Sequence, residues 1–201
     1  MHSDHTTDYN DIITTRWISN VEPRPLLAFG PVGFKRFTDA TLAMLDTDVH
    51  YRMSHHADLK HAPQVEVQEI AEGLVYDSGG VRVIAAATDH SPVHPTMGFR
   101  IEAEGKVVVI AGDTVPCPGL TRLCEGADVY VQTVIRRSLV EKTPMQRFRD
   151  VLDYHSDIGQ AAQTAAAAGV RVLVLNHPVP APQPGTEPQW IAEAAAHFTG
   201  E

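Results

Sequence analysis

Eleven histidines stand beside only two cysteines, Cys117 and Cys124, in this chain of 201 residues. Any metal chemistry must therefore rest on imidazole and carboxylate, a donor set that holds zinc, manganese or iron without thiolate. Some of these residues fall where such chemistry needs them. His2, Asp4 and His5 crowd one short loop ahead of a helix. His90 follows the apolar run Val81 to Ala87, Asp113 follows Val107 to Ala111 through Gly112, and His177 follows Val172 to Leu175. Strand ends deliver side chains to a common rim on stiff backbone, and a glycine before Asp113 removes steric cover. Taken singly, each has a bland reading as a solvated terminus, a turn aspartate or a strand-end histidine. Taken together they point to two ions rather than one, bridged by a carboxylate such as Asp113, whose two oxygens can each take one metal. Water held between two cations loses a proton near neutral pH, and the resulting hydroxide attacks an ester in line.

A seventh candidate is His155, which with Ser156 precedes an alanine-rich helix. Ser156 or Asp157 suits its N-cap, and the helix dipole there favours anions. His155 can donate to a leaving oxygen or to a substrate phosphate oxygen; simple packing of Tyr154-His155 in a turn is the equal alternative. Gly30-Pro31-Val32-Gly33 can offer backbone N–H groups to an anion, although a turn that opens a helix is the simpler reading. His50, His55, His56, His61 and His197 lie in polar stretches with no shared spacing and read as surface residues.

Helices and strands must position these groups. Tyr9, Ile12, Ile13, Arg16 and Trp17 repeat at helical spacing, as do Phe34, Phe37, Thr41, Met44 and Leu45, with a proline-rich connection from Pro23 to Pro31 between them. From Val65 onward the pattern turns to strands over Val65 to Ile70, Val81 to Ala87, Gly98 to Ala103, Lys106 to Ala111, Val129 to Val134 and Arg171 to Leu175. Asp77-Ser78-Gly79-Gly80 and Glu104-Gly105-Lys106 read as tight turns, which makes the middle of the chain a meander. Ile158, Ala161, Ala162, Ala165 and Ala168 line one helix face, closed by Gly169 and leading into a strand. Trp190, Ile191, Ala194, Ala195 and Phe198 form a last helix, after which Thr199-Gly200-Glu201 looks abrupt. The fold class is mixed α/β (α+β), in sheet-and-helix layers.

With 43% hydrophobic and 20% charged residues the chain is a folded globule, not a disordered, collagenous or coiled-coil protein. Sixteen basic against 25 acidic residues give a formal charge of −9, which does not favour nonspecific attraction to polyanions. Two cysteines are too few for a disulfide scaffold, and no apolar run approaches the roughly 18 residues of a membrane span. A soluble, cytoplasmic protein without a membrane partner is the expectation.

These residues resemble the metallo-β-lactamase superfamily, and within it the ribonuclease Z and arylsulfatase-like branch. The superfamily signature is H-x-H-x-D-H, matched here from its second position: Met1 fills the x, followed by His2, Ser3, Asp4 and His5. His90 in Thr88-Asp89-His90, Asp113 in Gly112-Asp113-Thr114 and His177 in Asn176-His177-Pro178 follow in the right order. His155-Ser156 with its helix, and the Gly30-Pro31 loop, resemble segments of the ribonuclease Z branch. The resemblance implies an αβ/βα sandwich over residues 1–201, whose first strands lie upstream of the signature. A fragment, or a reading begun at an internal methionine, is the expectation. It further implies two divalent ions, zinc or else manganese. One would be held by His2, His90 and Asp113 with the signature's first histidine missing, the other by Asp4, His5, Asp113 and His177. Asp4 and His155 are the residues it places in the catalytic step.

Three functions compete. A binuclear hydrolase of RNA phosphodiesters, acting on pre-tRNA, fits His155-Ser156 and the ligand set; the charge, and the scarcity of basic clusters beyond Arg136-Arg137 and Arg147 with Arg149, weigh against it. A hydrolase of small sulfate esters, cyclic nucleotides or lactones suits an acidic surface. The third is a non-catalytic remnant that folds only with a partner or as a swapped homodimer.

Overall fold

The computed structural model describes residues 2–201, so Met1 and its place in the signature lie outside it. The chain forms two compact units that meet in sequence at Ile70 and Ala71.

The first unit opens with a 3-10 turn, Ser3–His5, followed by α1 (Tyr9–Ile18), β1 (Leu26–Gly30), α2 (Phe34–His55) and β2 (Val65–Glu69). Ile13 and Trp17, four residues apart, are the buried face of α1, and the Trp17 indole donates to the His61 carbonyl. Tyr9 packs on Phe34 and Phe37 with ring centroids 5.3 and 5.7 Å apart, and its hydroxyl lies 2.9 Å from that of Thr38. The strands β1 and β2 run parallel, from Leu26 opposite Val65 to Gly30 opposite Glu69. That corrects the expected Pro23–Pro31 connection: Leu26 to Phe29 is an apolar run that becomes a strand once β2 supplies its hydrogen-bond partners. Helix α2 also continues to His55, well past Leu45. No Gly or Pro interrupts it, and an Asp48–Arg52 ion pair at 2.8 Å supports the later turns. Its first turn begins at Gly33 in the left-handed region, φ 96°. There Glu69 Oε1 accepts from the N–H groups of Gly33 (2.8 Å) and Lys35 (3.1 Å). The anion at this helix terminus is thus the chain's own carboxylate, in line with the simpler reading of the Gly-Pro loop.

The second unit is built on one six-stranded sheet in chain order: β3 (Gly73–Ser78), β4 (Val81–Ala87), β5 (Met97–Ala103), β6 (Lys106–Ile110), β7 (Val129–Ile135) and β8 (Val172–Val179). The first four are antiparallel, the expected meander; β6, β7 and β8 are mutually parallel. The parallel part needs crossovers, supplied by α3 (Pro118–Cys124) between β6 and β7. Between β7 and β8 run the short α4 (Arg137–Val140), α5 (Gln146–Asp150) and the longer α6 (Ile158–Ala167), and α7 (Glu187–Ala195) follows β8. Strand β3 escapes the periodicity because it is a half-exposed edge; only the turn after it, with Gly79 and Gly80 at φ 60° and 79°, is legible in sequence. At the other tight turn Glu104 and Gly105 both take positive φ, the conformation of a type I′ hairpin.

Val109, Tyr130 and Val134 on one face of the sheet pack with Leu120, Leu123, Ile158, Trp190 and Phe198 to form the core. The alanines at 161, 162 and 165 are fully buried, and their small side chains let α6 lie close to the sheet. Gly200 serves a close approach rather than a turn outward: a Cβ there would meet the Phe198 ring and the Arg171 carbonyl. Glu201 pairs beside β8, accepting from Leu173 N at 2.8 Å and donating to Arg171 O at 3.0 Å. No helix among the described residues is long and apolar enough to cross a membrane.

Candidate active site

In the second unit, β4 and β6 flank β5 and run out at the same end of the sheet. Val115 N donates to Asp89 O (2.9 Å) and Asp89 N donates to Thr114 Oγ1 (3.0 Å), so the segments carrying His90 and Asp113 are tied together. Gly112 turns the chain in the left-handed region, φ 68°, just before Asp113. A third segment is clasped to the same residue: Ser156 donates to the Thr114 carbonyl through both its N–H (2.9 Å) and its hydroxyl (2.8 Å). Thr114 therefore holds His90, Asp113 and His155 within one rigid corner, and both Thr114 and Ser156 are fully buried.

The orientation of the two imidazoles follows from their backbone partners. His90 Nδ1 lies 2.9 Å from the Tyr154 carbonyl, and His155 Nδ1 lies 3.0 Å from the Val151 carbonyl. A carbonyl oxygen only accepts, so in each ring Nδ1 donates and Nε2 is the nitrogen turned to the corner. Those Nε2 atoms approach the same oxygen, Asp113 Oδ2, at 3.7 Å from His90 and 3.3 Å from His155. The side chains of His90, Asp113 and His155 are 3%, 7% and 9% exposed. Two imidazole nitrogens and a carboxylate oxygen meeting in a dry corner suit a divalent cation, and the N–H to carbonyl bonds are those that commonly orient a ligating histidine. Burial, with Asp150, Asp153 and Asp113 nearby, pushes the Tyr154 phenol up, so it stays protonated beside this corner.

His177 sits within β8 where the register against β7 slips: Thr133 pairs with Asn176 but Ile135 pairs with Val179. The extra residue makes a bulge, and His177 takes φ 45°, a left-handed conformation costing a non-glycine residue of order 1–3 kcal/mol. Strain of this kind re-aims a side chain and persists where the surrounding structure enforces it.

In the first unit, His2, Asp4 and His5 are exposed on the opening turn. Thr6 and Thr7 hydroxyls donate to the Ser3 carbonyl at 3.1 and 3.0 Å and fix the turn. Asp4 Oδ2 and His5 Nε2 lie 3.8 Å apart. Within each unit, then, a carboxylate and an imidazole already stand at the spacing of co-ligands: Asp4 with His5, and Asp113 with His90. Cys124 is buried, and burial pushes its thiol up to about 12. The donor set fits zinc or manganese.

The five remaining histidines singled out above are exposed, as expected. The arginine clusters are engaged elsewhere. Arg136 bonds Glu193 (3.1 Å) and Gln189 (3.0 Å) over the Trp190 ring, and Arg137 bonds Asp157 (2.8 Å). Asp157, not Ser156, is the N-cap of α6, in a reciprocal capping box with Gln160. Asp157→Ala removes that cap and the Arg137 partner together, and a stability loss of about 1–2 kcal/mol is expected from urea unfolding. Sequence reasoning missed the supporting groups Thr114, Gln132 and Thr133. The only signal was a polar Gln-Thr pair inside an otherwise apolar strand.

Residues 1–177 match the family model described as the beta-lactamase superfamily domain. The chain belongs to the beta-lactamase superfamily. Among its relatives, the ribonuclease Z of Mycolicibacterium gilvum is 50% identical over 200 residues, spanning 98% of this chain and 70% of that protein. The ribonuclease Z of Mycobacterium bovis is 48% identical over 202 residues, 100% of this chain and 72% of that one. These identities place this superfamily member in the ribonuclease Z branch and make it a hydrolase. Solved structures agree on the fold. The metallo-beta-lactamase fold protein YhfI of Bacillus subtilis gives a TM-score of 0.67 at 18% identity, over 100% of this chain and 69% of that one. The human short-form tRNase Z gives 0.61 at 19% identity, over 89% and 69%. The expected family and fold class are thereby borne out, and the metallo-beta-lactamase fold is one that uses divalent metal.

Proposed function

We propose that this chain hydrolyses RNA phosphodiesters at the 3′ side of pre-tRNA, with two divalent ions, zinc in the first place and manganese as the alternative. The observation that carries the reading is the buried corner in which His90 and His155 turn Nε2 toward one oxygen of Asp113. Its relatives named ribonuclease Z support the substrate class. In this reading His2, His90 and Asp113 would serve one ion and Asp4, His5, Asp113 and His177 the other. Bound ions supply Lewis acidity and acidify water enough for attack near neutral pH.

The protein's own residues do the rest. Asp113 would be the carboxylate shared by the two ions. Asp4 orients the attacking water and takes up its proton. His155, anchored at Nδ1 by the Val151 carbonyl, would turn Nε2 to the reacting phosphate and, in its doubly protonated form, give the Nε2 proton to the leaving oxygen and be left as the neutral imidazole. The Tyr154 to Ser156 segment excludes water from one side. Two free thiols, Cys117 and Cys124, accord with a cytoplasmic location.

A second reading, a small-ester hydrolase, is favoured by the net charge of −9 and by the engagement of Arg136 and Arg137 with acidic partners. One assay panel separates the two: pre-tRNA beside chromogenic phosphodiester, sulfate ester and lactone substrates. Cleavage of pre-tRNA at its 3′ side is expected. No turnover of pre-tRNA with rapid turnover of a small ester would overturn the nuclease reading.

A further inference from the structure

Strand β7 reads Val129-Tyr130-Val131-Gln132-Thr133-Val134-Ile135, and its polar side chains are buried in a sheet that apolar residues would fill as well. Burying an amide and two hydroxyls is unfavourable unless every one is bonded. Here they form a directed chain. Tyr130 donates its hydroxyl to Gln132 Oε1 at 2.6 Å, which fixes the amide so that Nε2 must donate. Gln132 Nε2 donates to the Gly112 carbonyl at 3.1 Å and to the Thr133 carbonyl at 2.9 Å. Thr133 adds its hydroxyl to the same Gly112 carbonyl at 2.9 Å. Two donors thus clamp the carbonyl of the peptide bond that leads into Asp113, and Gly112 on its other side has no side chain to restrain the turn.

We propose that Gln132, steered by Tyr130 and joined by Thr133, is the positioning residue that sets the Asp113 carboxylate for metal binding. It touches neither substrate nor ion; it acts by fixing the Gly112–Asp113 peptide plane, and so the direction in which the Asp113 side chain leaves the backbone. This rests on the metal reading above. The purpose of the chain of bonds is accuracy: a carboxylate shared by two ions tolerates little angular error, and outer-shell groups that orient a ligand govern affinity.

The test is zinc affinity of the chain of residues 1–201, measured by competition with a chromophoric chelator, beside the thermal midpoint of the metal-free protein. Gln132→Met keeps the volume but removes the amide donor of the clamp, leaving the Thr133 hydroxyl alone on the Gly112 carbonyl, and leaves the Tyr130 hydroxyl buried without its acceptor; zinc affinity is expected to fall roughly 10–100-fold and the midpoint to drop. Tyr130→Phe/Gln132→Met removes that stranded hydroxyl, so the midpoint is expected to recover while the affinity stays low. A merely structural role predicts that affinity returns with stability, and that result would overturn the inference. If the parent binds zinc and Gln132→Met binds it equally well, the inference alone fails. If the parent binds no zinc, the metal reading fails and takes the inference with it.

Discussion

Replacing Asp113 with alanine is expected to leave a folded chain that has lost both ions and all measurable turnover. In the proposed site Asp113 is the one residue shared by the two ligand sets, so its removal lowers metal content at both positions rather than one. The loss of several kcal/mol of transition-state stabilisation corresponds to a fall in rate of about 10³-fold or more. The fold is not expected to suffer. The carboxylate is only 7% exposed, and a buried charge is costly to keep even when paired. The thermal midpoint of the metal-free variant should match or exceed that of the metal-free parent. Elemental analysis and a pre-tRNA cleavage assay check the rest: Asp113→Ala with full metal content and activity would overturn the site assignment.

His155→Ala is expected to separate chemistry from metal binding. His155 and His90 both approach Asp113 Oδ2, at 3.3 and 3.7 Å, so geometry within this corner allows either imidazole to be a ligand. The proposed assignment gives that role to His90 and the proton transfer to His155. Loss of a general acid costs roughly 10²–10⁴-fold in rate. Turnover should therefore fall by that amount while metal content is unchanged, and the loss should be smaller for a substrate whose leaving group departs without a proton. A fall in metal content of the purified variant would instead make His155 a ligand.

Much of this protein is legible in its sequence, for reasons that differ by element. Strands β4 to β7 lie within a residue of their expected limits, because continuous β-branched runs bounded by glycine turns leave few alternatives. Helix α6 is equally clear, with Asp157 at one end and Gly169, at φ 68°, beyond the other. The strands β1 and β3 were not legible. Leu26 to Gly30 sits among prolines and becomes a strand through β2, distant in the chain; Gly73 to Ser78 is a half-exposed edge that becomes one by pairing with β4 across the Gly79-Gly80 turn. The proposed metal donors were legible only as a set: each alone has a bland reading, and it is their shared residue types and their places at strand ends and in one loop that point to a site. Their supports were not, because a threonine, a serine or a glutamine in or near a strand looks like any other.

The sequence by itself pointed to the kind of chemistry: imidazole and carboxylate donors in a fixed order beside only two cysteines, and helices and strands of the right type to carry them. Only the tertiary structure decided which atoms do the work. The proton on Nδ1 of His90 is placed by a carbonyl 64 residues away in the chain, and the peptide before Asp113 is held by a glutamine 20 residues beyond Gly112. Hydrophobic periodicity records which face of each element is buried, a local property. Hydrogen-bond partners across segments are chosen by strand pairing and loop closure, which exist only once the chain has folded.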